Sequence, residues 1–327
     1  MSEREVLVEP EVTLPEGVTV GHWSDREGWT GCTVVLGPAD SVSAGEIRGG
    51  GPGTHEFDLL SPATSTPGAH AVLLSGGSAF GLGATAGVVG WLREQGRGFP
   101  TPAGPVPLVT GAVCFDLPIG SNTAWPGPDA GRAACESAAS RFERGTVGAG
   151  TGCTAGKVAP DGGWTKTGLG AATIRVGDAL MTAIAVVNPF GEVIGADGEV
   201  IAGYWRDDQG EGGGWKRTLE VLREGESRMP LGEATTLVCL TTDAKLSKAE
   251  AWNVARAAAP GFARALSPAA TAVDGDLTVC LSTGRVEADP FLLTIFAAEV
   301  VAEAIRDGAR QATDGAGVPS AASRTGA

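Results

Sequence analysis

Short apolar runs alternate with glycine, proline and charged clusters along the chain, and their lengths predict more strands than helices. The run 234–243 (Ala234, Thr235, Thr236, Leu237, Val238, Cys239, Leu240, Thr241, Thr242, Asp243) is apolar and β-branched and follows the polar stretch 223–233, which fits a buried strand. Residues 17–23 and 31–36 read as a hairpin, and further strands are expected at 71–75, 113–117, 171–176, 181–188 and 277–282. Helices are expected from the glycine-rich turn 76–82 to about Gln95, and over 129–140 with Asp129 as N-cap. Ser247-Lys248-Ala249-Glu250 is a capping box that opens a helix toward Leu266, with Pro260 as a kink, and Asp289-Pro290 starts a last helix ending near Asp307.

Between these elements the glycine-rich 47–54 segment reads as a loop whose backbone approaches something closely. The segment 205–228, dense in Gly, Glu, Asp and Arg, reads as a flexible surface linker, and small polar residues over 308–327 suggest a disordered tail. No internal repeat is visible. Strands that come in consecutive pairs point to α+β layers rather than a parallel α/β sheet.

At 327 residues the chain is long enough for a large core, and its charge narrows the partners: Lys plus Arg is 24 against 38 Asp plus Glu, a net −14. That balance argues against nucleic acid and anionic membranes. No apolar run reaches the length of a membrane span, and the acidic first dozen residues do not resemble a signal peptide, so a cytoplasmic protein is expected. The six cysteines lie scattered in apolar contexts and read as reduced core residues.

Three histidines, His22, His55 and His70, are too few and too scattered for a metal centre, and no cofactor is expected. The G-x-G-x-x-G and G-x-S-x-G patterns are absent around the Gly76–Ser78 turn, which disfavours a dinucleotide site or a classical serine hydrolase. Thr235 offers another chemistry. If the bond before it were cut, one residue would carry a hydroxyl nucleophile and an α-amine of pKa about 7.7–8.0, a general base that needs no histidine. The run by itself is equally that of ordinary strand threonines. Asp274 and Asp276, two residues apart, share a face if extended, and repulsion between them would raise one pKa; a D-G turn has the same sequence. Lys157 and Asn188 read on their own as a surface lysine and a strand-end turn residue.

The region from Thr235 to Asp243, with 246–250, 263–265 and Asp274-Gly275-Asp276, resembles the nucleophile segment of the L-aminopeptidase/D-esterase superfamily. Within it the likeness is to endo-type 6-aminohexanoate-oligomer (nylon oligomer) hydrolases. Gly17 to Trp23, the Arg48 to Thr54 loop, Gly76 to Leu82, Gly148 to Lys157 and Val186 to Val193 match further motifs, so the resemblance runs from about Gly17 to Asp307. It implies a four-layer αββα sandwich and self-cleavage between Ala234 and Thr235 into 1–234 and 235–327. It also implies Thr235 as nucleophile, Asp274 and Asp276 as the pair that orients the amine and manages protons, and Lys157 and Asn188 on the oxyanion. A tetramer of cleaved protomers acting on small linear amides or peptide-like substrates would follow. A β-peptidyl or D-amino-acid aminopeptidase is the alternative within the superfamily, an acyltransferase of the ornithine-acetyltransferase kind is another, and an uncleaved binding protein is a third. Three positions depart from the pattern: Gly83 replaces an acidic residue, Phe115 stands near a tyrosine of some relatives, and Ala234 replaces an asparagine.

Overall fold

A computed structural model describes residues 6–159, 162–208, 212–225 and 234–326. Two stacked sheets form its centre. One has the order Val6–Val8, Leu169–Val176, Ala179–Asn188, Thr235–Ala244, Leu277–Val286, Val42–Ile47; the other runs Thr19–Asp25, Thr30–Leu36, Ala71–Ser75, Val109–Val113, Gly53–His55. Alternation along the strands sorts the side chains. Leu237 and Cys239 meet Val72 and Leu74 of the facing sheet, whereas Val238 and Leu240 turn toward the helices Lys248–Ala257, Ala259–Ala265 and Pro290–Arg310. On the far side, Val34 and Leu73 pack under the helices Thr85–Glu94 and Pro128–Glu136. The result is the expected αββα sandwich. Among the described residues no helix is long and apolar enough to cross a membrane.

Local signals held well. The 19–36 hairpin forms, Ser247 and Glu250 close their capping box, Asp289 caps the last helix, and all six cysteines are buried free thiols. Elsewhere the packing corrects the expectation. The 113–117 strand is Val109–Val113 instead, and the helix expected at 129 starts at Pro128, with Gly127 rather than Asp129 in the cap position. Proline at the first helical position is ready-set for the helix angle, which moves the start forward. The helix after Ser247 breaks at Ala258 into two.

The supposed linker is largely structured: Tyr204–Asp208 and Gly212–Lys216 make a hairpin held by Trp205 edge-on to Trp215, and Thr218–Glu224 is helical. Its remainder, 209–211 and 226–228, lies outside the described residues. The expected tail is ordered too over its described residues, 308–326. The last long helix continues to Arg310, Ala312 is buried, and Asp314 accepts from the Ser320 N–H at 2.7 Å ahead of the helix Ala321–Thr325.

Candidate active site

Strand pairing brings the chemistry to one end of the first sheet. Asn188, the last residue of its strand, is the direct cross-strand partner of Thr235, the first of the next. Both share the parity of the residues between the sheets. On the other side of Thr235, Ala234 bridges Asp274 just before the Leu277–Val286 strand begins. Thr235, Asn188, Lys157, Asp274 and Asp276, all named from the sequence, are therefore gathered within one buried cluster.

The peptide link before Thr235 is held from two sides. The Thr235 hydroxyl donates to the Ala234 carbonyl oxygen at 2.5 Å, and the Gly275 main-chain N–H donates to the same oxygen at 2.9 Å. A side chain at 275 would not fit, since its Cβ would lie 2.7 Å from the Thr235 hydroxyl oxygen. Gly275 is the position at this link that the sequence reading missed. Its signal is there in retrospect, a glycine flanked by the two aspartates, but it reads equally as a turn.

The two aspartates differ. Asp276 accepts from the Thr236 N–H at 2.7 Å and from the Ala270 N–H at 2.9 Å, yet burial, followed by repulsion from Asp274, pushes its pKa up to about 7. Asp274 takes the Thr271 N–H and hydroxyl on Oδ2 at 2.8 and 2.6 Å, while its Oδ1 is buried with no partner among the described residues. The glycine-rich loop does approach closely, as expected. The Arg48 and Gly49 N–H groups donate to the Asp276 carbonyl at 2.8 and 3.0 Å, and a Cβ on Gly49 would come within 2.1 Å of the Asp274 carbonyl oxygen.

Lys157 and Asn188 are buried and locked together rather than exposed. The Lys157 ammonium donates to Asn188 Oδ1 at 2.9 Å and to the carbonyls of Thr154, Asn188 and Pro189 at 2.7–3.1 Å. Asn188 also accepts from the Thr154 N–H at 3.1 Å and donates its amide to the Phe115 carbonyl at 3.0 Å. The main-chain donor on the Ala234 carbonyl is thus Gly275, with the Asn188 amide engaged by the Phe115 carbonyl. Phe115 serves through its backbone, where its side chain has no proton to give.

Two buried charges not anticipated from the sequence support this turn. Lys166 donates to the carbonyls of Thr151 and Cys153 at 2.8 and 2.7 Å, and burial lowers its pKa to about 8. Asp116 takes the Gly77 N–H at 2.6 Å and the Thr30 hydroxyl at 2.8 Å, and burial raises its pKa to about 6. The anion facing the glycine-rich turn after Ser75 is therefore the protein's own carboxylate.

The cavity bordered by Lys157, Thr154, Phe115 and Trp164 measures about 10 Å³. Ligand pockets run to roughly 300–1,000 Å³, so this cavity is too small for a substrate. A groove of about 790 Å³ on the outer helical layer, lined by Arg48, Phe262 and Phe291, touches this centre through Ala270.

Comparison with known proteins places the chain in a family of amide hydrolases. The model of peptidase family S58 matches residues 12–321. An uncharacterized aminopeptidase of Mycobacterium leprae is 38% identical over 307 residues, covering 85% of this chain and 79% of that protein. A 6-aminohexanoate-oligomer endohydrolase of Kocuria sp. is 30% identical over 318 residues, covering 90% and 84%. Among solved structures, the L-aminopeptidase D-Ala-esterase/amidase of Ochrobactrum anthropi, described as a variant of the Ntn hydrolase fold, superposes with a TM-score of 0.68 at 18% identity, covering 94% and 89%.

Proposed function

The chain belongs to peptidase family S58 and is a hydrolase of amide bonds, and from that premise we propose that Thr235 is its nucleophile, exposed by self-cleavage after Ala234. The observation that carries this reading is the pair of hydrogen bonds on the Ala234 carbonyl, from the hydroxyl that would attack and from the Gly275 N–H that would steady the oxyanion. In the first step the Thr235 oxygen adds to the Ala234 carbonyl carbon. The C–N bond breaks, and the hydroxyl proton ends on the freed amine, leaving an ester. Water then hydrolyses the ester to an Ala234 carboxylate and restores the hydroxyl. Asp276, with a pKa near 7, is suited to pass the proton, and Asp274 Oδ1 is suited to accept from the new ammonium.

The same residues then act on substrate. The α-amine takes the hydroxyl proton, Thr235 attacks the substrate amide, and the leaving amine departs protonated. Water releases the acid from the acyl-enzyme ester. Lys157 adds positive potential beside Asn188 and keeps the strand end in place. As substrates we infer linear 6-aminohexanoate oligomers, whose side-chain-free methylene chains suit an apolar site. Peptides with a small or β-amino residue at the amino end are the second choice, favoured by the aminopeptidase relative. Protomers cleaved in this way would assemble as a tetramer in the cytoplasm. The test is hydrolysis of the linear oligomers followed by chromatography: Thr235→Ala abolishes turnover, Thr235→Ser retains part of it, and an undiminished Thr235→Ala enzyme rejects the proposal.

A further inference from the structure

Ala234 is fully buried in a small apolar cluster with Val158, Ala159, Phe190, Tyr204 and Val221, distinct from the three clusters that join the layers. Its carbonyl is the one that Thr235 faces and Gly275 holds. The ester that the first cleavage step leaves on Thr235 and the acyl-enzyme formed on a substrate join the same oxygen to an acyl carbon beside a free amine. The acyl group of a substrate is then directed to the side on which Ala234 lies. Resting on the Thr235 reading, we propose that Val158, Ala159, Phe190, Tyr204 and Val221 form the acyl pocket of the cleaved enzyme, selecting acyl groups that are slender and uncharged next to the carbonyl.

A second consideration points the same way. Cleavage turns the Ala234 carbonyl into a carboxylate, and none of these five side chains carries a compensating charge. Water solvates that carboxylate better than these walls do, and its departure, which turnover requires, would vacate the pocket for the substrate. Methylenes of a 6-aminohexanoyl group match what is left, because their ammonium is five carbons away from the carbonyl. A branched group such as leucyl would have to place both its side chain and its charge against these walls.

The experiment compares kcat/KM for glycyl, 6-aminohexanoyl and leucyl p-nitroanilides in the parent, in Val221→Phe and in Val221→Ala, with Thr235→Ala run alongside. Ratios between substrates are used because they do not depend on how much enzyme is cleaved. The parent prefers the 6-aminohexanoyl over the leucyl compound. Val221→Phe lowers the 6-aminohexanoyl to glycyl ratio at least tenfold, and Val221→Ala raises the leucyl to glycyl ratio severalfold. If Val221→Phe does not fold, the Val221→Ala ratio decides. Ratios within twofold of the parent overturn the pocket while leaving Thr235 in place, whereas activity in Thr235→Ala overturns the nucleophile reading itself.

Discussion

The main-chain N–H of Gly275 donates at 2.9 Å to the carbonyl oxygen of Ala234, so the Ala234–Thr235 amide is polarised by a main-chain group that an alanine at 275 would keep. What substitution can do is spoil the fit. A Cβ at 275 would come within 2.7 Å of the Thr235 oxygen and 3.0 Å of the Gly51 carbonyl oxygen. Gly275→Ala is expected to slow the appearance of the two fragments by about 100-fold or more, in the range seen when one oxyanion donor is lost. A time course on denaturing gels checks this.

Asp276 predicts a pH signature. Its folded pKa of about 7 lies above the unfolded value of about 3.9, so between these values the folded chain binds more protons than the unfolded one. Its contribution is fully present below pH 4 and is lost as pH rises through 7. In the uncut Thr235→Ala background, Asp276→Asn removes this loss, and the stability of the double variant relative to its parent rises between pH 4 and 7. Melting curves across that window give the sign.

Lys166 gives the mirror case. Burial lowers its pKa to about 8 from an unfolded value of about 10.4, so between these values the unfolded chain binds more protons and stability gains with rising pH. Lys166→Met flattens that gain. It also frees the Thr151 and Cys153 carbonyls in the turn that carries Lys157, and kcat is expected to fall at least about tenfold with a smaller change in KM. Denaturant titrations from pH 8 to 10 and steady-state kinetics test the two parts separately.

Asn188→Ala leaves the Phe115 carbonyl and the Thr154 N–H without their partner inside the protein. At about 1–3 kcal/mol for each buried group left unsatisfied, a loss of at least about 2 kcal/mol is expected. Urea unfolding should show it as a lower midpoint at unchanged slope.

What was legible in the sequence was mostly local. The 19–36 hairpin, the Ser247 capping box and the Asp289 cap depend on residues a few positions apart, and each formed as read. The Val42–Ile47 strand was not among those expected, because its strand partner among the described residues is Leu277–Val286, more than 200 positions away. The paired strands Tyr204–Asp208 and Gly212–Lys216 have a charged, glycine-rich composition that argues for a linker, and two tryptophans overrule it. In the site, the five side chains were found through family motifs. The buried state of Lys157, the role of the Phe115 backbone and the place of Gly275 follow only from strands brought together in space. Ala234, one of the departures from the resembled pattern, also becomes intelligible, since an apolar methyl suits the cluster around Phe190 and Tyr204 better than an amide does.

The central claim is self-scission before Thr235, and intact-mass measurement of the purified, denatured protein over time tests it most directly. The account predicts that the single chain is replaced by two species corresponding to residues 1–234 and 235–327, and that Thr235→Ala stays whole. A parent chain that remains one 327-residue species while hydrolysing amides at full rate would contradict it.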